Sequence, residues 1–249
     1  MASTSTTAAI FAFILMSSLA IATSKDLGFY YFVLMWPGAY CKQTNAGCCT
    51  PKSGKPALDF FVKGLYPYST DGTPLTKCNR TPFINNQISD LEGELLKYWS
   101  NIKCPSSEPK NLWRSAWKTY GVCSGLSEHE YFKKTLELKN KIDLLSILCK
   151  NGIVPTDMAD YSFLDVKKAV SKGVRATNAI RCSKNQWDET IVYEFYVCVD
   201  KDAKNIINCP VLPNFTCTPR VVFGSFTYSM LKNKTKIEEN PIRMPVDDE

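Results

Sequence analysis

The chain has 249 residues, with 30 Lys or Arg against 24 Asp or Glu and a net charge of +6. That excess permits weak attraction to polyanions, but no dense basic run appears, so the charge reads as ordinary solubility. No stretch is long and apolar enough to span a bilayer, and eleven cysteines fit an oxidising compartment rather than a reducing one.

Met1–Ser24 carries no charge, has an apolar run over Ala8–Met16, and ends in the small residues Ala20, Ala22 and Ser24. It reads as a cleaved secretory signal, leaving enough chain for one domain with a sizeable core. Gly28–Met35, rich in aromatic and branched residues, predicts a buried strand that turns at Trp36-Pro37-Gly38. Tyr40–Lys52 reads as a cysteine-dense loop, Leu58–Lys63 as a second strand stopped by Gly64, and Tyr66–Pro82 as a surface loop. Ile88, Leu91, Leu95 and Trp99 recur at helical spacing.

The next helix, Leu112–Tyr120, organises the chain. Trp113 and Trp117 stand four apart, on one face, and read as core. Gly121 and Cys123 close the segment. Ser127 and Glu130 form a capping box opening a long helix to about Cys149, stopped by Asn151-Gly152. Ser162 and Asp165 start a shorter helix ending near Gly173. Strands follow at Ala176–Cys182, Thr190–Val199 and Val221–Phe226. Strands at both ends around central helices predict one α+β domain over residues 25–226. Thr227–Glu249, polar and without period, reads as an extension or removable pro-segment.

An odd cysteine count leaves at least one thiol outside any intrachain bridge. Cys48 and Cys49 are adjacent and no C-x-x-C occurs, so a disulfide framework is favoured over a metal site. Three sequons mark Asn79, Asn214 and Asn233 as candidate glycosylation sites. The single histidine, His129, lies in the first turn of the capped helix.

Several stretches together resemble the ribonuclease T2 family, above all its plant branch. F-Y-Y-F-V-L-M-W-P-G-A-Y-C at Phe29–Cys41 is similar to the branch's F-x-x-V-L-Q-W-P-x-x-Y-C, with Met35 at its glutamine. Cys48-Cys49, Gly54-Lys55-Pro56 and Asp90–Cys104 follow as in the family, and the match runs from about Gly28 to Phe226. It implies that family's single-domain α+β fold and a cleft built for RNA transesterification.

The family's F-T-I-H-G-L-W-P corresponds to Phe60–Pro67, putting Lys63 where the resemblance implies a histidine. Its W-x-H-E-W-x-K-H-G-T-C corresponds to Trp113–Cys123. There Ser115 stands for the first histidine, Ala116 for the glutamate, Thr119 for the lysine and Tyr120 for the second histidine. The reaction needs a base and an acid titrating near the working pH. Imidazole suits both roles; lysine and tyrosine side chains, which ordinarily titrate near ~10, do not. The resemblance also implies bridges Cys41–Cys48, Cys49–Cys104, Cys78–Cys123, Cys182–Cys217 and Cys198–Cys209, with Cys149 as the odd thiol.

The sequence therefore reads as a catalytically inactive ribonuclease-like protein serving as a plant vegetative storage protein, in the vacuole or outside the cell. It implies no cofactor, no metal and no membrane. The alternative is a binding module that holds RNA, a nucleotide or another ligand in the former active-site cleft, with Lys63, Arg114, Lys118 and Tyr120 as first suspects.

Overall fold

The computed structural model describes residues 26–43, 47–105 and 108–232. The secretory segment, the sequon at Asn233 and the extension beyond Lys232 lie outside these residues.

The fold is a single α+β domain around a seven-stranded sheet. Strand β1 (Phe29–Met35) consists of bulky apolar residues throughout, and all seven are buried. It pairs antiparallel with β3 (Phe61–Tyr68) on one side and with the eleven-residue β6 (Thr190–Asp200) on the other. β6 also pairs with β5 (Asn178–Lys184), β7 (Ile206–Ile207) and, in parallel, β8 (Arg220–Val222), which pairs with β4 (Asp160–Ser162).

Side chains alternate across β1. Tyr30, Phe32 and Leu34 enter the main core, shared with the helices, whereas Phe29, Tyr31 and Val33 join a smaller cluster against Tyr66, Tyr68 and Tyr196. The helices contributing to the main core are α2 (Glu92–Tyr98), α3 (Pro109–Thr119), α4 (Glu128–Lys141), α5 (Leu144–Lys150) and α6 (Phe163–Val174).

Several boundaries differ from those read in the sequence. Pro37, expected in a turn, is the first residue of a short helix, α1 (Pro37–Lys42), because its fixed φ suits a helix start. β3 runs through Gly64 to Tyr68, since Gly64 serves ring packing rather than chain termination. The helix at Asn85 begins as a 3-10 turn, kinked at Ile88, before α2. The predicted long helix is two: Asp143 accepts from the Ser146 N–H at 3.1 Å and caps a new helix, so α4 ends at Lys141. β5 starts two residues later than predicted, after Arg175 leaves α6 with φ +57°. β8 is three residues long and does not reach Phe226.

Residues 227–232, expected outside the domain, pack onto it. Strand β9 (Leu231–Lys232) pairs in parallel with β2 (Cys48–Cys49), and Leu231 is buried in the main core. Apolar Leu231 outweighs the polar composition around it.

Five disulfides join Cys41–Cys48, Cys49–Cys104, Cys78–Cys123, Cys182–Cys217 and Cys198–Cys209, the pairs the resemblance implies. Cys149 is free and exposed near the end of α5. Among the described residues no helix is long and apolar enough to cross a membrane.

Candidate functional site

Two β-bulges build the site. Between β1 and β3, Val33 opposes Gly64 while Leu34 opposes Val62, so Lys63 is the extra residue. Between β5 and β6, Arg181 opposes Glu194 while Cys182 opposes Val192, so Tyr193 is extra. A bulge bends its strand and re-aims the side chain it carries. Here the two bulged residues meet. Lys63 Nζ lies 6.0 Å from the centre of the Tyr193 ring and 3.7 Å from Glu194 Oε1.

Glu194 has a side chain only 3% exposed. A carboxylate so buried requires partners. The Tyr196 hydroxyl donates to its Oε2 at 2.8 Å, and Arg181 Nη1 lies 3.4 Å from the same oxygen. Burial and the Glu194 charge push the Tyr193 hydroxyl up to about 12 and raise Tyr196 as well. Burial works against the Arg181 charge, but Glu194 and Tyr196 outweigh it and raise the guanidinium further.

Helix α3 supplies the opposite wall. Pro109 starts it, and Trp113 and Trp117 face inward, both buried. Trp113 Nε1 donates to the Trp99 carbonyl at 2.9 Å. The Trp117 ring lies so close to Gly121 that a Cβ there would approach it to 2.2 Å, which makes glycine obligatory. With both tryptophans committed to the core, Ser115, Ala116 and, just past the helix end, Tyr120 border the cleft. The Tyr120 ring centre is 4.5 Å from that of Tyr66. Tyr66 lies over Gly64, where any Cβ would fall 2.2 Å from a ring carbon, and burial raises its hydroxyl well above the usual range.

Lys63, Tyr66 and Tyr120 form a ridge that divides the cleft into two lobes. One, of about 300 Å³, is lined by Met35, Tyr40, Ser100, Leu112, Ser115 and Ala116. The other, of about 600 Å³, is lined by Gln43, Thr76, Arg181, Tyr193, Glu194 and Tyr196. Lys63 over the Tyr193 ring and Arg181 over the Phe215 ring put cations beside flat aromatic faces at the larger lobe, which equips it to hold an anion and to stack a flat ring. No imidazole lines either lobe.

The structure thus brings Lys63, Ser115, Ala116 and Tyr120 to one cleft but not Thr119, which lines a separate depression beside Lys77, Arg80 and Lys118. Arg114 is also outside it, with Nη1 2.9 Å from Asn111 Oδ1 and its guanidinium over Phe83. His129 Nε2 lies 2.9 Å from Asp90 Oδ2, a contact that holds the Asp90 carboxyl below its ordinary value. Asn79 and Asn214 are both exposed. Among the described residues no group of three or more His, Cys, Asp or Glu side chains is placed to hold a metal. Glu194 and Arg181 escaped the sequence reading. The available signal was a carboxylate in the middle of an otherwise aromatic and branched strand.

Comparison with known proteins places this geometry. The sequence model of the Ribonuclease T2 family matches residues 27–209. Extracellular ribonuclease LE of Solanum lycopersicum is 38% identical over 207 residues, covering 82% of this chain and 89% of that protein. A ribonuclease-like storage protein of Panax ginseng is 32% identical over 180 residues, covering 71% and 73%. Among solved structures, RNase NT in complex with 5′-AMP superposes with a TM-score of 0.78 at 34% identity, covering 81% of this chain and all of that one. An RNase-related protein from Calystegia sepium gives 0.69 at 27% identity, covering 81% and 98%.

Proposed function

The chain belongs to the Ribonuclease T2 family, and from that premise we propose that it is a catalytically inactive member serving as a vegetative storage protein. One observation carries the reading: neither lobe of the cleft contains an imidazole, and the positions matched to the family's histidines hold Lys63, Ser115 and Tyr120. General acid and base catalysis contribute typically ~10²–10⁴ each. Ala116 and Thr119, matched to the glutamate and lysine, supply no charge to stabilise a phosphorane. The likeness to the ginseng storage protein supports the storage half of the reading. A secretory route to the vacuole or cell exterior, with five bridges and glycans at Asn79, Asn214 and Asn233, suits a protein that must persist.

The test is RNA cleavage by purified, disulfide-intact protein from acidic to neutral pH, beside an active relative. No cleavage is expected. Restoring the five positions together (Lys63→His, Ser115→His, Ala116→Glu, Thr119→Lys, Tyr120→His) should raise activity at least a hundredfold above that background. Cleavage that co-purifies with the unaltered protein and disappears on changing Lys63 and Tyr120 would overturn the reading. Storage itself is tested by abundance, expected to be high and to fall as the organ resprouts.

A second reading is supported by the open lobes. Tyrosine rings and two cations line the larger lobe, and the similar RNase NT was solved in complex with 5′-AMP. In this reading the protein retains a nucleotide or RNA segment without cutting it. Equilibrium titration with 5′-AMP at low salt decides it, by saturable binding or its absence.

A further inference from the structure

The smaller lobe of the cleft is an apolar basin with a polar edge. Met35, Val62, Ile102 and Ala116 are buried and, with Leu112, form its floor. No carboxylate lines it. Its volume of about 300 Å³ suits one ring with a short arm. Covering that floor releases water from apolar surface, which favours a ligand with an apolar body.

The polar groups of the lobe divide into those already engaged and those left over. The Ser100 hydroxyl donates to the Leu96 carbonyl, the Tyr66 hydroxyl donates to the Lys63 carbonyl at 3.0 Å, and Asn101 Oδ1 accepts from the Lys103 N–H at 3.0 Å. The hydroxyls of Tyr40, Ser115 and Tyr120 make no hydrogen bond to another described residue. The Lys63 side chain is 42% exposed and loosely held, with its Nζ 3.7 Å from Glu194. Three hydroxyls and an ammonium are left over, and all can donate. They call for a ligand that accepts.

Charge sets the kind of acceptor. Lys63 and Arg181 share the single carboxylate of Glu194, which leaves one positive charge in excess at the ridge. Lys103 also lines the lobe, but it is exposed and solvent screens it. One uncompensated charge matches a carboxylate rather than a phosphate dianion. The walls favour a flat body. The Tyr66 and Tyr120 rings stand 4.5 Å apart at the ridge, and the Met35 thioether lines the floor. Rings and thioethers both meet aromatic edges favourably, and a rigid ring loses little freedom on entering a preformed lobe.

We propose that the smaller lobe binds a small aryl carboxylate, with its ring over Met35 and Leu112, its carboxylate on Lys63, and the Ser115 and Tyr120 hydroxyls as further donors. This goes beyond storage, and its ligand differs in chemistry from the nucleotide of the second reading.

The experiment is calorimetric titration of the full, disulfide-intact chain with 3-phenylpropanoate, with its neutral amide, and separately with 5′-AMP. The acid is expected to bind saturably and about tenfold or more tighter than the amide, the weight of one hydrogen bond to a charged group. Lys63→Gln should lower acid affinity by about the same factor and leave the amide unchanged. Ser115→Phe puts a ring into the lobe from an exposed helical position and should abolish binding of both. Absence of saturable acid binding overturns the inference, as does equal affinity for acid and amide. Acid binding that either variant leaves unchanged also overturns it. Binding of 5′-AMP without the acid overturns this inference and supports the second reading; binding of the acid without 5′-AMP does the reverse.

Discussion

Arg181 and Glu194 stand directly opposite each other on β5 and β6, with the guanidinium 3.4 Å from a carboxylate that solvent hardly reaches. Lys63 approaches the other oxygen from β3 at 3.7 Å. Neither cation contact is as short as a tight charge-assisted hydrogen bond; the shortest bond to the carboxylate comes from Tyr196. The carboxylate therefore anchors two strands and fixes where Lys63 sits in the cleft.

Replacing Glu194 with leucine tests this anchor. The variant leaves the Tyr196 hydroxyl without its acceptor, but Lys63 and Arg181 are 42% and 53% exposed and can rehydrate. Exposure screens the charge contribution, so the expected loss is about 1–2 kcal/mol, set mainly by the stranded hydroxyl. Glu194→Gln, which keeps an acceptor, should lose less. Chemical denaturation measures both. A leucine variant as stable as the unaltered protein would remove Glu194 from any structural role.

High pH should unfold the protein in a defined window. Burial pushes the Tyr31 and Tyr193 hydroxyls up to about 12 and raises those of Tyr30, Tyr66, Tyr131 and Tyr196 as well. Unfolded tyrosine titrates near ~10. Above that pH the folded state binds more protons than the unfolded state, so stability falls as pH rises. The contribution is complete below pH ~10 and is lost on passing through the folded values. Absorbance at the tyrosinate band, followed together with circular dichroism, should show exposed tyrosines ionising first and the buried set ionising with loss of fold. A single titration of every tyrosine near pH 10 with the fold intact would contradict it.

Trp113 shows how far the sequence could be read. Its four-residue spacing from Trp117 foretold a shared buried face, and its indole N–H finds the Trp99 carbonyl inside the core. Truncating it to alanine should cost about 3–5 kcal/mol, as for other large buried aromatic residues. Trp113→Phe should cost less, about 1–2 kcal/mol, by stranding that carbonyl. Equal losses would mean that the hydrogen bond rather than the ring volume dominates.

The legible parts were those with local causes. β1 follows from an unbroken bulky run, and the starts of α4 and α6 from serines that accept the N–H three residues on. Lys63, Ser115, Ala116 and Tyr120 were legible as cleft residues through family motifs, not through chemistry of their own. What escaped depends on pairing between distant segments. The bulges at Lys63 and Tyr193 exist only relative to partner strands, and Glu194 acquires its meaning only when β3 and β5 bring two cations to it. Thr119, matched by motif to the family's lysine position, lines the depression beside Lys118 rather than either lobe, because its place at the end of α3 sets which side its side chain borders.

The C-terminal boundary yields the remaining prediction. Residues after Phe226 read as polar extension, yet β9 adds a parallel partner to β2, and Leu231 is 7% exposed within the main core. The Tyr228 hydroxyl donates to the Pro56 carbonyl at 3.1 Å, and the Lys232 carbonyl accepts from the Thr50 N–H at 3.1 Å. These contacts tie residues 228–232 to the segment held by Cys49–Cys104. A chain ending at Phe226 should therefore be about 2–3 kcal/mol less stable than one ending at Lys232, most of it from re-exposing one leucine. Denaturant midpoints of the two truncations provide the measurement. Coincident midpoints would return the boundary to Phe226 and reduce β9 to a surface contact. A separation of the expected size would mean that any processing of the extension has to stop at or beyond Lys232 to leave the fold intact.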